Sequence, residues 1–174
     1  MLRILRSYQL YAKMSKRRFA QLRMGYLGHI ISHNGVEMDV AKVECIRAWS
    51  VPDTIKSLRG FLGPTGYYRR FVQGYELICK PLTELLKKDS FCWNKTAATT
   101  FQQLKNIMST APVSRMPDFT KHFIVETDAC NRGIGVVLIQ ESQLVAYLSK
   151  ALSPKNLGLS IYEQLLATVM AVTK

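Results

Sequence analysis

Residues 122–149 read HFIVETDACNRGIGVVLIQESQLVAYLS, and the reading of this stretch decides the fold. From His122 the side chains alternate around Phe123, Val125 and Thr127, and residues 135–140 and 143–149 form two further short apolar runs. Alternation with a period of two, in short runs separated by polar residues, predicts a three-stranded antiparallel meander. Upstream the texture is different. Around Ala111-Pro112 the pattern changes from helical to strand-like, so a boundary is expected within residues 109–120.

Working back toward the N-terminus, Asn94 is placed to cap a helix reaching Met108, and a short helix is expected over residues 79–87. Asp53 or Thr54 opens a helix carrying Leu58, Phe61 and Leu62 and then Tyr67, Tyr68 and Phe71, and Asp39 caps another through Trp49. Strands are predicted over residues 19–21 and 24–32, the second running into His33-Asn34-Gly35, whose Asn-Gly pair signals a tight hairpin turn. Residues 2–13 have helical spacing. Toward the other end, Ser153-Pro154 begins a loop and Ser160 starts a final helix.

The composition is that of a globular chain: 174 residues, 48% hydrophobic and 21% charged. Apolar runs such as residues 133–139 and 165–172 are too short to span a bilayer, and no secretory signal follows Met1, so no membrane partner and an intracellular setting, cytoplasmic or nuclear, are expected. Cys45, Cys79, Cys92 and Cys130 lie far apart with no CxxC pair, so they are expected reduced and mostly buried, without a zinc site. The net charge of +12 is uneven: seven bases and one acid fall in residues 1–38, twelve and seven in 39–120, five and four in 121–174. A basic excess in the first two thirds suits a surface that follows phosphates, although solubilising charge gives the same count.

Three strings, in order, carry a family resemblance. Tyr26-Leu27-Gly28-His29-Ile30-Ile31-Ser32 resembles the hairpin after the palm of gypsy-type (Ty3/gypsy) long-terminal-repeat retrotransposon reverse transcriptases, those of plants in particular. Leu58-Arg59-Gly60-Phe61-Leu62-Gly63 with Tyr67-Tyr68-Arg69-Arg70-Phe71 is similar to their thumb helix, and Glu126-Thr127-Asp128-Ala129 with Gly133-Ile134-Gly135 to the opening of their ribonuclease H domain. The resemblance implies an α+β chain: a β-hairpin, a helical thumb segment and a truncated RNase H-like α/β domain of a three-stranded antiparallel meander plus first helix. Its parts would be residues 1–38 (end of the palm with a primer-grip-like hairpin), 39–113 (thumb and connection) and 114–174 (RNase H-like).

The resemblance also implies roles. The hairpin, with Tyr26 and Gly28, would grip the primer end, and the thumb helix would enter the minor groove of the template–primer duplex. Arg59, Gly63 and Tyr67 stand at i, i+4 and i+8, hence on one helical face. A glycine there admits sugar–phosphate, while guanidinium and aromatic ring supply charge and stacking surface. Arg69 and Arg70 are candidates for phosphate contacts. Tyr68 and Phe71 read as core. Pro64 departs from a continuous helix at a cost of about 3 kcal/mol; either the helix kinks at Gly63-Pro64 or this copy has decayed.

Polymerase and ribonuclease H chemistry both use clustered carboxylates that hold two metal ions, Mg2+ in the parent enzyme. The five aspartates (39, 53, 89, 118 and 128) are scattered, and no adjacent acidic pair on a hairpin serves a polymerase. Asp128 matches the first ribonuclease H carboxylate, a catalytic metal ligand in a complete domain. At the second position the family pattern is one residue longer than Tyr162-Glu163-Gln164-Leu165, so either Gln164 stands where the ligand belongs or Glu163 reaches inward. Ser160 and Glu163 also form a capping box, which accounts for Glu163 without catalysis. With the remaining carboxylates expected beyond Lys174, stable metal binding and catalysis by this chain alone are not expected. Two readings compete. One is a fragment of a reverse transcriptase–ribonuclease H polyprotein, partnered by RNA–DNA hybrid or duplex and by the rest of the polyprotein. The other is a domesticated nucleic-acid-binding module that uses the basic thumb helix.

Overall fold

The computed structural model describes residues 2–11, 13, 21–130, 133–152 and 163. Helix α1 (Leu2–Ser7) is shorter than expected, because Gln9 takes a φ of 54° that no helix continues through. Of the first predicted strand, Phe19 and Ala20 lie outside the described residues and Gln21 is not in a strand. The second, over 24–32, is two strands: β1 (Arg23–Tyr26) and β2 (His29–Ser32), paired antiparallel with Tyr26 opposite His29. Leu27 and Gly28, at φ 48° and 76°, form the two-residue turn between them, as the twist of a hairpin favours. Leucine is not a turn residue, so the sequence pattern concealed this break. The expected turn after Ser32 is present at His33-Asn34 and leads to β3 (Gly35–Met38), with Ser32 opposite Gly35.

The helices follow their caps. Asp39 accepts from the Ala41 N–H at 2.9 Å and opens α2 (Val40–Arg47), which stops short of Trp49. Thr54 accepts from Ser57 N–H and opens α3 (Ile55–Tyr67). This helix runs through Pro64 unbroken. Gly60, whose carbonyl loses its usual donor there, is exposed, so water can replace the bond. Thr65 Oγ1 donates back to the Phe61 carbonyl at 3.1 Å in the same turn. A 3-10 turn at Arg69–Phe71 precedes α4 (Tyr75–Glu84), which begins after left-handed Gly74, four residues earlier than predicted. Asn94 accepts from Ala97 N–H and caps α5 (Lys95–Ser109). These helices and β3 enclose a core in which Ile46, Leu58, Phe61, Phe71, Leu104 and Met108 are almost wholly buried.

The meander is present as β4 (Ile124–Cys130), β5 (Gly133–Gln140) and β6 (Gln143–Ala151), in the order β4-β5-β6. Among the described residues β4 pairs only with β5. Ile134, Val136 and Leu152 form a smaller second cluster. The helices meet this sheet through α4: the Glu76 N–H donates to Ser149 Oγ at 3.0 Å, and the Glu76 carboxylate accepts from the Ala151 N–H at 2.9 Å. Gly133 lies beneath the same contact, where a Cβ would stand 2.7 Å from Leu77 Cδ2.

The segment between α5 and β4 works as a strap. Ser114 bridges to Val36 of β3, and the Arg115 N–H donates to the Leu144 carbonyl of β6 at 2.7 Å. Gln140, fully buried, accepts from the Asp118 N–H at 2.9 Å and donates to the Asp118 carbonyl at 2.8 Å. The predicted last helix lies outside the described residues apart from Glu163, which is helical. The four cysteines are free, but only Cys79 is buried; Cys45, Cys92 and Cys130 are exposed, contrary to the expectation that most would pack inside.

Candidate nucleic-acid interface

The 26–29 turn and the C-terminal end of α3, forty residues apart in sequence, lie against each other. The Tyr67 hydroxyl donates to the Leu27 carbonyl and the Tyr68 hydroxyl to the Gly28 carbonyl, both at 2.6 Å. Gly28 is required twice over: its φ is positive, and a Cβ would come within 3.0 Å of the Tyr68 oxygen. The same Gly28 carbonyl accepts from the Asp39 N–H at 3.1 Å, tying the turn to the start of α2 as well. Tyr68 and Phe71 are core residues at 2% and 1% exposure, whereas Tyr67 is 54% exposed. Burial pushes the Tyr68 phenol above its ordinary value, with nearby Asp39 and Tyr67 adding to the shift.

The face carrying Arg59, Gly63 and Tyr67 is open. Arg59 and Gly63 are exposed, and a Cβ at Gly63 would meet nothing within 4 Å. Helix α3 holds Lys56 and Arg59 and no acidic residue, so its outer side is positive. Tyr26 and Leu27, at 57% and 70% exposed, continue this surface over the hairpin. Arg69 and Arg70 are both exposed, and the Arg70 guanidinium lies over the Phe71 ring at 5.0 Å. The structure thus ties Tyr67 to Leu27 and Gly28 to Tyr68, and leaves Tyr26, Arg59, Gly63, Arg69 and Arg70 open to solvent. Reasoning from sequence passed over Leu27 and His29, the two residues on which the Tyr67 hydroxyl and ring rest. The available signal was Gly28 inside an otherwise strand-like run, which marks a turn or a close backbone approach.

The acidic strand is separate from this surface. Asp128 lies on β4 opposite Gly135, exposed, and shares a strand face with Glu126 and Cys130. It borders a cleft of about 340 Å3 between the sheet and the start of α4, lined also by Gln73, Gly74 and Leu77. Glu163 is helical and exposed, and Gln164 lies outside the described residues. Among the described residues no three His, Cys, Asp or Glu side chains gather as metal ligands, so these residues alone do not compose a two-metal site. No helix among them is long and apolar enough to cross a membrane.

A double hairpin is thus locked to a basic helix, and a strap links it to a meander with an acidic strand. Residues 93–174 match the model of the RNase H-like domain found in reverse transcriptase. An uncharacterized mitochondrial protein of Arabidopsis thaliana is 46% identical over 132 residues, covering 75% of this chain and 84% of that protein. The Pol polyproteins of the Drosophila melanogaster transposons 297 and gypsy are 34% and 35% identical, over 93% and 91% of this chain. The chain spans only 16% and 17% of those polyproteins' lengths. Among solved structures, foamy viral protease-reverse transcriptase in complex with an RNA/DNA hybrid superposes with a TM-score of 0.84 at 20% identity, over 91% of this chain and 22% of that one. A second foamy viral structure, in complex with double-stranded DNA, gives 0.81 at 20% identity over 88% and 28%. At that identity the likeness speaks for the fold alone. The chain belongs to the reverse transcriptase–ribonuclease H family of LTR-retrotransposon Pol proteins, of which it covers a fragment. That reading is favoured over an adopted host module.

Proposed function

We propose that the 26–29 turn and the open face of α3 form one contact surface for duplex nucleic acid, an RNA–DNA hybrid above all, within a protein that copies RNA into DNA and cleaves the RNA of the hybrid. The observation that carries this reading is the pair of hydroxyl-to-carbonyl bonds from Tyr67 and Tyr68 to Leu27 and Gly28. They make a primer-side hairpin and a groove-side helix a single rigid edge. In this reading Arg59 and Tyr67 flank the sugar–phosphate that approaches Gly63, Tyr26 lies beside the primer end, and Arg69 and Arg70 pair with phosphates. The foamy viral relatives of this fold hold an RNA/DNA hybrid and double-stranded DNA, which supports the same class of partner here. Residues 1–38, 39–113 and 114–174 then serve as palm edge, thumb with connection, and RNase H-like part, and the rest of the polyprotein completes them.

In the same proposal Asp128 is the first of the ribonuclease H carboxylates, binding Mg2+ together with ligands that other parts of a complete domain supply. Glu163 or Gln164 stands at the second position. The chain by itself then neither polymerises nor cleaves.

Fluorescence anisotropy with a labelled RNA–DNA hybrid tests the contact surface. With three arginines on phosphates, log affinity against log salt is expected to fall with a slope of about −3, and Arg59→Ala to lessen that slope by about 1. Affinity indifferent to both salt and Arg59 sinks the reading. Robust cleavage of the hybrid by this chain in magnesium, lost on Asp128→Asn, overturns the inactive part of it.

A further inference from the structure

His29, the first residue of β2, lies where the turn and the helix meet. Its ring stacks against Tyr67 with centroids 5.3 Å apart and planes inclined by 19°. It meets Tyr68 edge-on at 5.5 Å and Phe71 at 5.7 Å. The residues before it, Leu27 and Gly28, are those whose carbonyls accept the two phenol hydroxyls. The imidazole therefore backs the ring of Tyr67, which the solvent reaches elsewhere. Its Nδ1 is buried and has no hydrogen-bond partner among the described residues.

The charged and titratable groups around it are few. Arg70 faces it from the 3-10 turn, Tyr67 and Tyr68 from the end of α3, Tyr26 from across the turn, and Asp39, which acts on Tyr68, follows β3. The nearest cationic influence is Arg70. Burial first, and then Arg70, hold the imidazole below its ordinary value, so the ring is neutral at pH 7. A second proton would make donors of both ring nitrogens, one of them in a buried position with no acceptor, beside a guanidinium.

We propose that His29 is a positioning residue for nucleic-acid contact: its uncharged imidazole sets the Tyr67 ring against the 26–28 turn, and gain of a proton there uncouples turn from helix and weakens duplex binding. This rests on the duplex reading above and extends it to a residue and a pH response of the same surface.

The test uses the whole chain and a labelled RNA–DNA hybrid at fixed ionic strength, from about pH 7.5 to about pH 5, with His29→Phe and His29→Ala. Wild type is expected to lose about tenfold in affinity across that range, a difference near 1.4 kcal/mol. Phenylalanine keeps the stacking ring without the titration, so it should bind within about threefold of wild type at neutral pH and stay flat on acidification. Alanine should be weak throughout. Wild-type affinity that holds or rises in acid alongside the phenylalanine variant overturns the proposal, as does alanine binding like wild type. Hydrogen exchange at the Asp39 N–H, which donates to the Gly28 carbonyl, reads the coupling without nucleic acid. If wild type fails to bind the hybrid at neutral pH, the duplex reading falls. The positioning role then stands or falls on whether that amide loses protection in acid in wild type and not in His29→Phe.

Discussion

At the residue scale the hairpin glycine Gly28 and the helical glycine Gly63 answer different demands. Gly28 needs a positive φ and leaves room for the Tyr68 hydroxyl, which a Cβ would approach to 3.0 Å, so Gly28→Ala is expected to destabilise the fold by about 1–3 kcal/mol in urea titrations. Gly63 has neither constraint. Gly63→Ala removes backbone freedom from an exposed helical site and should raise stability by about 0.5–1 kcal/mol. If sugar–phosphate approaches there, Gly63→Leu leaves folding intact and weakens hybrid binding by about tenfold, because the protein itself has room for the side chain and the ligand does not. Equal binding by Gly63→Leu would remove that residue from the contact surface. His29 predicts a pH effect whose sign is fixed. Its folded value lies below the ordinary 6.5, so the unfolded chain binds the extra proton more readily. The associated stability is present above about pH 6.5 and is lost as pH falls toward the folded value; unfolding titrations should show wild type losing more than His29→Phe over that interval.

At the scale of elements, what the sequence made legible was whatever local chemistry settles. Asp39, the pair Asp53 or Thr54, and Asn94 announced the starts of α2, α3 and α5, with Thr54 the cap in the structure, because a short side-chain acceptor before a helical run satisfies an orphan N–H wherever the chain goes afterwards. Asn94→Ala should cost about 1 kcal/mol, measured by thermal or urea unfolding. The meander was legible for the same reason, through alternation that any half-buried strand shows. What escaped was set at a distance. The β1–β2 turn places a leucine at φ 48°, held by phenols of a helix far away in sequence, and no local signal carries that information. The early start of α4 at left-handed Gly74 escaped likewise, since its first residues are fixed by Ser149 and Ala151 of the sheet. Pro64 left two outcomes open, and the helix continues through it. Pro64→Ala restores a donor to the Gly60 carbonyl and should stabilise α3 by about 1–2 kcal/mol, less than the full helical penalty because proline also restrains the unfolded chain. Of the candidate site, the open face of α3 was readable from spacing alone. Its union with the hairpin was not.

At the scale of the whole molecule, polar contacts link the helical part, the strap and the meander. Glu76 joins α4 to β6, Gln140 closes on Asp118, and Ser114 bridges to Val36. Gly35 lies at that last bridge, where a Cβ would stand 2.2 Å from the Ser114 carbonyl oxygen. Removing the Glu76 carboxylate leaves the Ala151 N–H without its acceptor, so Glu76→Ala should cost about 1–2 kcal/mol and loosen β6 ahead of the helices, seen as earlier hydrogen exchange at residues 149–151. The proposed function requires that the hairpin and α3 present one continuous surface to a duplex. Hydrogen-exchange mass spectrometry of the whole chain, with and without saturating RNA–DNA hybrid at low salt, measures this most directly. The account predicts protection that rises together over residues 26–29 and 59–70 while the exposed face of α5 stays unchanged. Protection confined to the meander, or spread evenly over every basic segment, contradicts it.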